Sequence, residues 1–213
     1  MLNNVSIKSL LAASLCAMGL SFQALAADVA IVIHGGAGTI LKKNMTPERE
    51  KAYVEKLTEA VKKGYALLQS GVDGETAVVE TIQVLEQSPL FNAGIGAVYT
   101  FDGEHELDAS MMHGGTLNAG AVAGVKTIAS PIAAAQAVME HSPHVMLSGE
   151  GAEEFALSRG MEPVDNHIFD TERRYKALEK ARERILKAGI AYGGQQGNER
   201  IGTVGAVVID KQG

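Results

Sequence analysis

The chain has 213 residues, 46% of them hydrophobic and 21% charged, a balance that excludes a disordered or fibrous polymer and leaves room for one substantial core. A formal charge of -6, with Lys and Arg spread among acids, excludes the basic face of a nucleic-acid binder. Five Phe, five Tyr and no Trp leave little for base stacking.

Residues 1–26 read as an export signal. Lys8 lies in a short polar start, Leu10 to Phe22 is apolar, and Ala24-Leu25-Ala26 offers small residues for cleavage. The mature chain is expected to begin near Ala27, in the periplasm or outside the cell. The apolar run falls short of the roughly 20 residues that cross a bilayer, so no membrane anchor is expected. Cys16 lies in this segment behind the bulky Leu15, which disfavours a lipid anchor. The mature chain then has no cysteine and must rely on its core.

Asp28 to Ile33 is a β-branched apolar run that predicts a buried strand entering the turn His34-Gly35-Gly36-Ala37-Gly38. A helix follows, with Thr46 as N-cap, Pro47 at its first position, Tyr53, Leu57, Val61, Leu67 and Leu68 at helical spacing, and Gly71 as its stop. A second helix is predicted from Asp73 to about Gln87, with Val78, Val79, Ile82 and Leu85 toward a core and Pro89 beyond its end. Phe91 to Gly96 reads as a loop. Ala97 to Phe101 and Glu106 to Met112 flank Asp102-Gly103 as a hairpin would, and Ala119 to Val125 is a further strand.

Ser130-Pro131 opens a helix to about Glu140, Val145 to Leu147 reads as a brief strand, and a short helix runs from Glu150 to near Gly160. A long charged helix comes next, with Asp170 expected as its cap and Tyr175, Leu178, Ala181, Ile185 and Leu186 as its buried stripe. Gly193 to Arg200 is a polar, glycine-rich linker. Thr203 to Ile209 reads as a strand and Asp210 to Gly213 as the start of a hairpin turn, so the sequence is expected to be the front part of a longer one.

Gly202-Thr203, a threonine opening a strand after a flexible linker, is the arrangement that self-cleavage to an N-terminal nucleophile needs. Glycine allows a strained peptide, and the α-amine released has a pKa of about 7.7–8.0, so one residue supplies both nucleophile and base. The plain alternative is a β-branched residue beginning a strand. The turn at Gly35 to Gly38 lacks the spacing of a phosphate loop, and His141 and His144, three apart with Pro143 between them, read as the start of a strand rather than a helix face that could hold a metal pair. Glu104, Glu106 and Asp108 resemble a carboxylate cluster, but Glu106 and Asp108 share one face of a hairpin arm, where solvent is the usual destination.

His34-Gly35-Gly36-Ala37-Gly38, Pro89 to Ala97, Glu106 to Met112, Ala119 to Val125 and Gly202 to Val207 resemble, in this order, the isoaspartyl aminopeptidase (plant-type L-asparaginase) family from about residue 29 onward. The resemblance implies a mixed α/β chain of the α+β kind, a four-layer αββα sandwich of the N-terminal nucleophile hydrolases, incomplete in this chain. It implies an α subunit over 27–202, the start of a β subunit at 203–213, and assembly as an (αβ)₂ dimer with the rest of that β subunit. It also implies Thr203 as the nucleophile, freed by autocleavage at Gly202-Thr203, with isoaspartyl dipeptides and L-asparagine as substrates. Asn92 matches a residue near the nucleophile. The backbone carbonyls of Leu85, Glu86, Ser88, Phe91, Ala93 and Ile95 match a loop that wraps a structural sodium ion, and no cofactor is implied for the chemistry. The family's oxyanion segment and substrate clamp match nothing up to Gly213, so these 213 residues alone are expected to be inactive. Glycosylasparaginase, and an exported or truncated protein without catalysis, are the alternative readings.

Overall fold

A computed structural model describes residues 28–36, 45–188 and 203–213. The export signal, Ala37 and Gly38 of the turn, the glycine-rich linker and Gly202 lie outside the described residues.

Strand β1 (Ala30–His34) pairs antiparallel with β5 (Gly205–Ile209), His34 opposite Gly205 and Ala30 opposite Ile209. The second sheet has the order β2 (Leu107–Met112), β3 (Ala119–Val125), β4 (Met146–Ser148), with β2 and β3 antiparallel and β4 parallel to β3. Helices α1 (Pro47–Ser70) and α2 (Gly74–Glu86) belong with the first sheet, and α3 (Pro131–His141) and α4 (Gly149–Ser158) with the second. The class is α+β, as expected.

The ends of α1 and α2 follow from local chemistry. Thr46 Oγ1 accepts the Arg49 N–H at 3.3 Å, and Gly71 closes α1 with φ 91°, where a side chain would be strained. Asp73 Oδ1 accepts the Thr76 N–H at 2.8 Å to start α2. The two helices meet where Gly64 faces Thr81 and Ile31 so closely that a methyl would collide with both. The end of β5 is fastened at this junction. Asp210 accepts the Gly74 N–H at 2.8 Å, and Lys211 donates to the Gln69 carbonyl at 2.8 Å, each charge lying at the helix end whose dipole favours it.

One core gathers Ala60, Val79, Ile82, Leu85, Phe91 and Ile132, with Ile33, Val204 and Ala206 packed against it. The other lies under the second sheet, around Leu107, Val122, Val125, Val138, Ala152 and Phe169. Each sheet turns its other face outward. Val32 and Val207 are 70% and 72% exposed, so β1 is covered on one face rather than buried on both as its apolar run suggested.

Three further expectations are corrected. Ala97 to Phe101 forms no ladder. The backbone of Val98 bonds instead to the side chains of Asn92 and His105, Thr100 N–H donates to the Glu104 carbonyl at 2.7 Å, and the hairpin is β2–β3. Asp170 does not cap α5 (Glu172–Ala188). Thr171 Oγ1 accepts the Arg174 N–H at 3.3 Å in that role, while Asp170 bonds to His105 and His167, both at 3.1 Å. The stripe of α5 is buried only at Leu178, with Tyr175 and Leu186 49% and 79% exposed. Arginines hold this helix instead. Arg182 donates to the Phe101 carbonyl and lies over the Phe101 ring.

Candidate active site

A cleft of about 890 Å³ opens between the end of α2, the loop after it, β2 and β3, the start of α3 and the segment entering β5. Thr203, Asn92, Glu86 and Ala93 all line it, although Thr203 and Asn92 stand far apart in sequence. Thr203 is exposed, two residues ahead of the β5 ladder. Val204, next to it, packs against the α1–α2 core, and Gly205 lies under the His34 ring so closely that a methyl would meet Nε2. The threonine is therefore fixed on its C-terminal side. Asn92 Oδ1 accepts the Val98 N–H at 2.8 Å.

The loop from Leu85 to Ile95 winds on itself. Gly94 has φ 49° and sits against the Glu86 carbonyl, while Gly96 sits against the Phe91 carbonyl, each with no room for a β-carbon. Leu85, Ser88 and Phe91 are buried. The outward carbonyls are gripped from outside: Arg173 donates to Pro89 and Leu90 at 3.2 and 3.0 Å, the Tyr53 hydroxyl to Leu90 at 2.7 Å, and Arg174 Nε to Gly96 at 2.7 Å. Burial, with Arg173 and Arg49 nearby, pushes the Arg174 guanidinium down to about 10. The Leu85 and Ala93 carbonyls accept from Ser88 N–H and Gly96 N–H, both at 3.1 Å.

Glu86 is the residue whose side chain sequence reasoning missed. The carboxylate is 4% exposed, accepts the Ser130 hydroxyl at 2.7 Å and the Ile132 N–H at 3.0 Å, and so caps α3 from another helix. Burial pushes the carboxyl up to about 7, against the lowering effect of these two bonds. A signal existed in the glutamate lying among apolar positions at the end of α2. Arg173 and Arg174 left no such signal, because their targets are backbone carbonyls of a distant loop.

The other sequence candidates stay apart from the cleft's chemistry or belong to its rim. Glu104 and Glu106 pair with Lys126 at 2.6 and 3.5 Å, and Asp108 accepts the Gly124 N–H at 2.8 Å. His141 lies 3.5 Å from Glu140. No helix among the described residues is long and apolar enough to cross a membrane.

The Asparaginase_2 family, described as asparaginase, matches residues 27–213. An isoaspartyl peptidase of Salmonella typhimurium is 50% identical over 185 residues, 86% of this chain and 59% of that protein. An isoaspartyl peptidase of Escherichia coli is 48% identical, over 86% of this chain and 57% of its own length. A plant-type L-asparaginase of Pyrococcus furiosus is 43% identical, over 85% and 60%. The chain thus spans about three-fifths of the length of these curated relatives.

Proposed function

The chain belongs to the asparaginase family Asparaginase_2, and from that premise we propose that it is the front part of an amidohydrolase for isoaspartyl dipeptides and L-asparagine, with Thr203 as nucleophile after cleavage at Gly202-Thr203. The observation that carries this reading is the position of Thr203, which lines the same cleft as Asn92 and lies two residues ahead of a strand held by β1. Once the Gly202-Thr203 bond is cut, the strand stays bound through its ladder, Asp210 and Lys211, so the new amino terminus remains at the cleft.

In this mechanism Thr203 Oγ attacks the β-carbonyl of the substrate while its proton passes to the threonine's own α-amine. The amine passes a proton on to the departing ammonia or amino-acid nitrogen, leaving an aspartyl ester on Thr203. Water then attacks the ester, and aspartate leaves as the hydroxyl is restored. A threonine inside a chain has an amide nitrogen, which is no base, so processing must precede turnover.

The loop from Leu85 to Ile95 fits a monovalent cation. Its donors are all carbonyl oxygens, as a hard ion requires, and Gly94 and Gly96 allow the winding. A bound sodium ion would hold the loop's shape rather than take part in acyl transfer. Export to the periplasm after removal of residues 1–26, and an (αβ)₂ assembly completed by the rest of the β subunit, are part of the same proposal. So is the inactivity of residues 1–213 alone.

Mass spectrometry of the exported full-length product tests the proposal. Two chains are expected, beginning near Ala27 and at Thr203, together with aspartate release from an isoaspartyl dipeptide. An uncut, inactive protein refutes the reading, and preference for glycan-linked asparagine moves it to glycosylasparaginase.

A further inference from the structure

Asn92 lines the cleft, and the orientation of its side-chain amide depends on what its polar atoms bond to. One partner is Val98, whose N–H donates to Asn92 Oδ1 at 2.8 Å. Val98 is 41% exposed in the cleft, so packing does not immobilise it. Its carbonyl is held instead from behind, by His105 Nδ1 at 3.2 Å.

His105 is suited to act as an anchor: the Val98 carbonyl and the Asp170 carboxylate both accept, so with both contacts made each ring nitrogen carries a proton. It is fully buried, its Nε2 lies 3.1 Å from Asp170 Oδ1, and its ring lies 4.1 Å from the Tyr99 ring and 6.0 Å from that of Phe169. Its backbone is clamped as well: the N–H donates to Asn166 Oδ1 and the carbonyl accepts from Asn166 Nδ2, both at 2.9 Å. Burial pushes the Asp170 carboxyl up, but bonds from Tyr99, His105 and His167 outweigh it and hold it below the usual carboxylate range, so the anchor ends on a charge. Neither His105 nor Asp170 lines the cleft.

We infer that His105 is a positioning residue for the site: its Nδ1–H holds Val98, and Val98 orients the Asn92 side chain in the cleft that Thr203 also lines. Asp170, the Tyr99 ring and the Asn166 clamp keep the imidazole in place. This inference rests on the proposed role of the cleft and adds a residue to it that touches no substrate.

The two ring nitrogens have different tasks, and two substitutions separate them. The amide nitrogen of Asn stands about where Nδ1 stands, and that of Gln about where Nε2 stands. His105→Asn therefore keeps the donor to Val98 and loses Asp170, whereas His105→Gln keeps Asp170 and loses Val98. In the full-length protein, His105→Gln is expected to slow self-cleavage and to lower kcat on an isoaspartyl dipeptide by about tenfold or more, with KM changed less than about twofold. His105→Asn is expected to rescue most of that loss despite a similar drop in Tm. A second readout is independent of the chemistry: the Asn92 side-chain amide should give one sharp pair of ¹⁵N–¹H signals in the wild type and His105→Asn, and broadened or multiple signals in His105→Gln. Equal kinetics for the two variants, with an unchanged Asn92 signal in His105→Gln, overturns the inference. If the wild type neither cuts itself nor hydrolyses the dipeptide, the functional reading fails, and the amide spectrum alone decides the positioning role.

Discussion

Glu86, on the last turn of α2, accepts the backbone N–H of Ile132 at 3.0 Å, so a buried carboxylate of one helix caps the first turn of another. The same residue supplies a loop carbonyl at the floor of the cleft. One side chain thereby ties the loop to the start of α3.

Its folded pKa, raised from 4.5 to about 7 by burial, makes stability depend on pH in a definite direction. The contribution is fully present below the unfolded value and is lost as pH rises through about 7. Urea unfolding of the wild type is expected to show a loss on the order of 3 kcal/mol between pH 4.5 and 8, relative to Glu86→Gln, which cannot ionise. Identical pH slopes for the two proteins would contradict this.

Gly94 and Gly124 both have positive φ, 49° and 64°, but only Gly94 has a backbone neighbour where a β-carbon would go. Gly124→Ala should cost about 1 kcal/mol, the strain alone. Gly94→Ala should cost roughly 3 kcal/mol, because the Glu86 carbonyl cannot move aside. If the loop holds sodium, exchanging NaCl for choline chloride at constant ionic strength should lower Tm in the wild type and leave Gly94→Ala unmoved. Equal melting of wild type in both salts would remove the cation from the account.

Thr203→Ala in the full-length protein should leave a folded, uncut precursor whose aspartate release is at background. Thr203→Ser should still cut and turn over, more slowly, because the hydroxyl survives but the methyl that restricts its rotamer is gone. Processing of the alanine variant, read by intact mass, would show that another residue is the nucleophile.

Asp210 accepts the Gly74 N–H from the opposite end of the chain. Asp210→Ala removes a charge-assisted bond at a helix N-terminus and should cost about 1–2 kcal/mol. If the bond also holds the cut strand, the variant's Thr203 chain should dissociate from its partner at lower urea than in the wild type. Unchanged dissociation would limit Asp210 to stability.

The sequence by itself was enough for elements whose signals lie within four residues. Thr46 with Arg49, Gly71 with Leu67 and Leu68, and Asp73 with Thr76 close their bonds locally, so α1 was legible to the residue and α2 to within one residue at each end. It also singled out Thr203 and Asn92, through a threonine after a linker and through resemblance, and the structure brings both to one cleft. What it misread were residues whose partners are distant. Asp170 looks like a cap because it precedes a helix, yet His105 claims its carboxylate and Thr171 does the capping. Ala97 to Phe101 looks like a strand, but Asn92 and His105 take the Val98 backbone groups that a ladder would need. A polar group is satisfied by whichever partner folding delivers, and for these residues that partner lies outside the local turn. Only the tertiary structure could decide that the loop after α2 would be gripped by arginines of α5, and that Glu86 would be buried beneath α3.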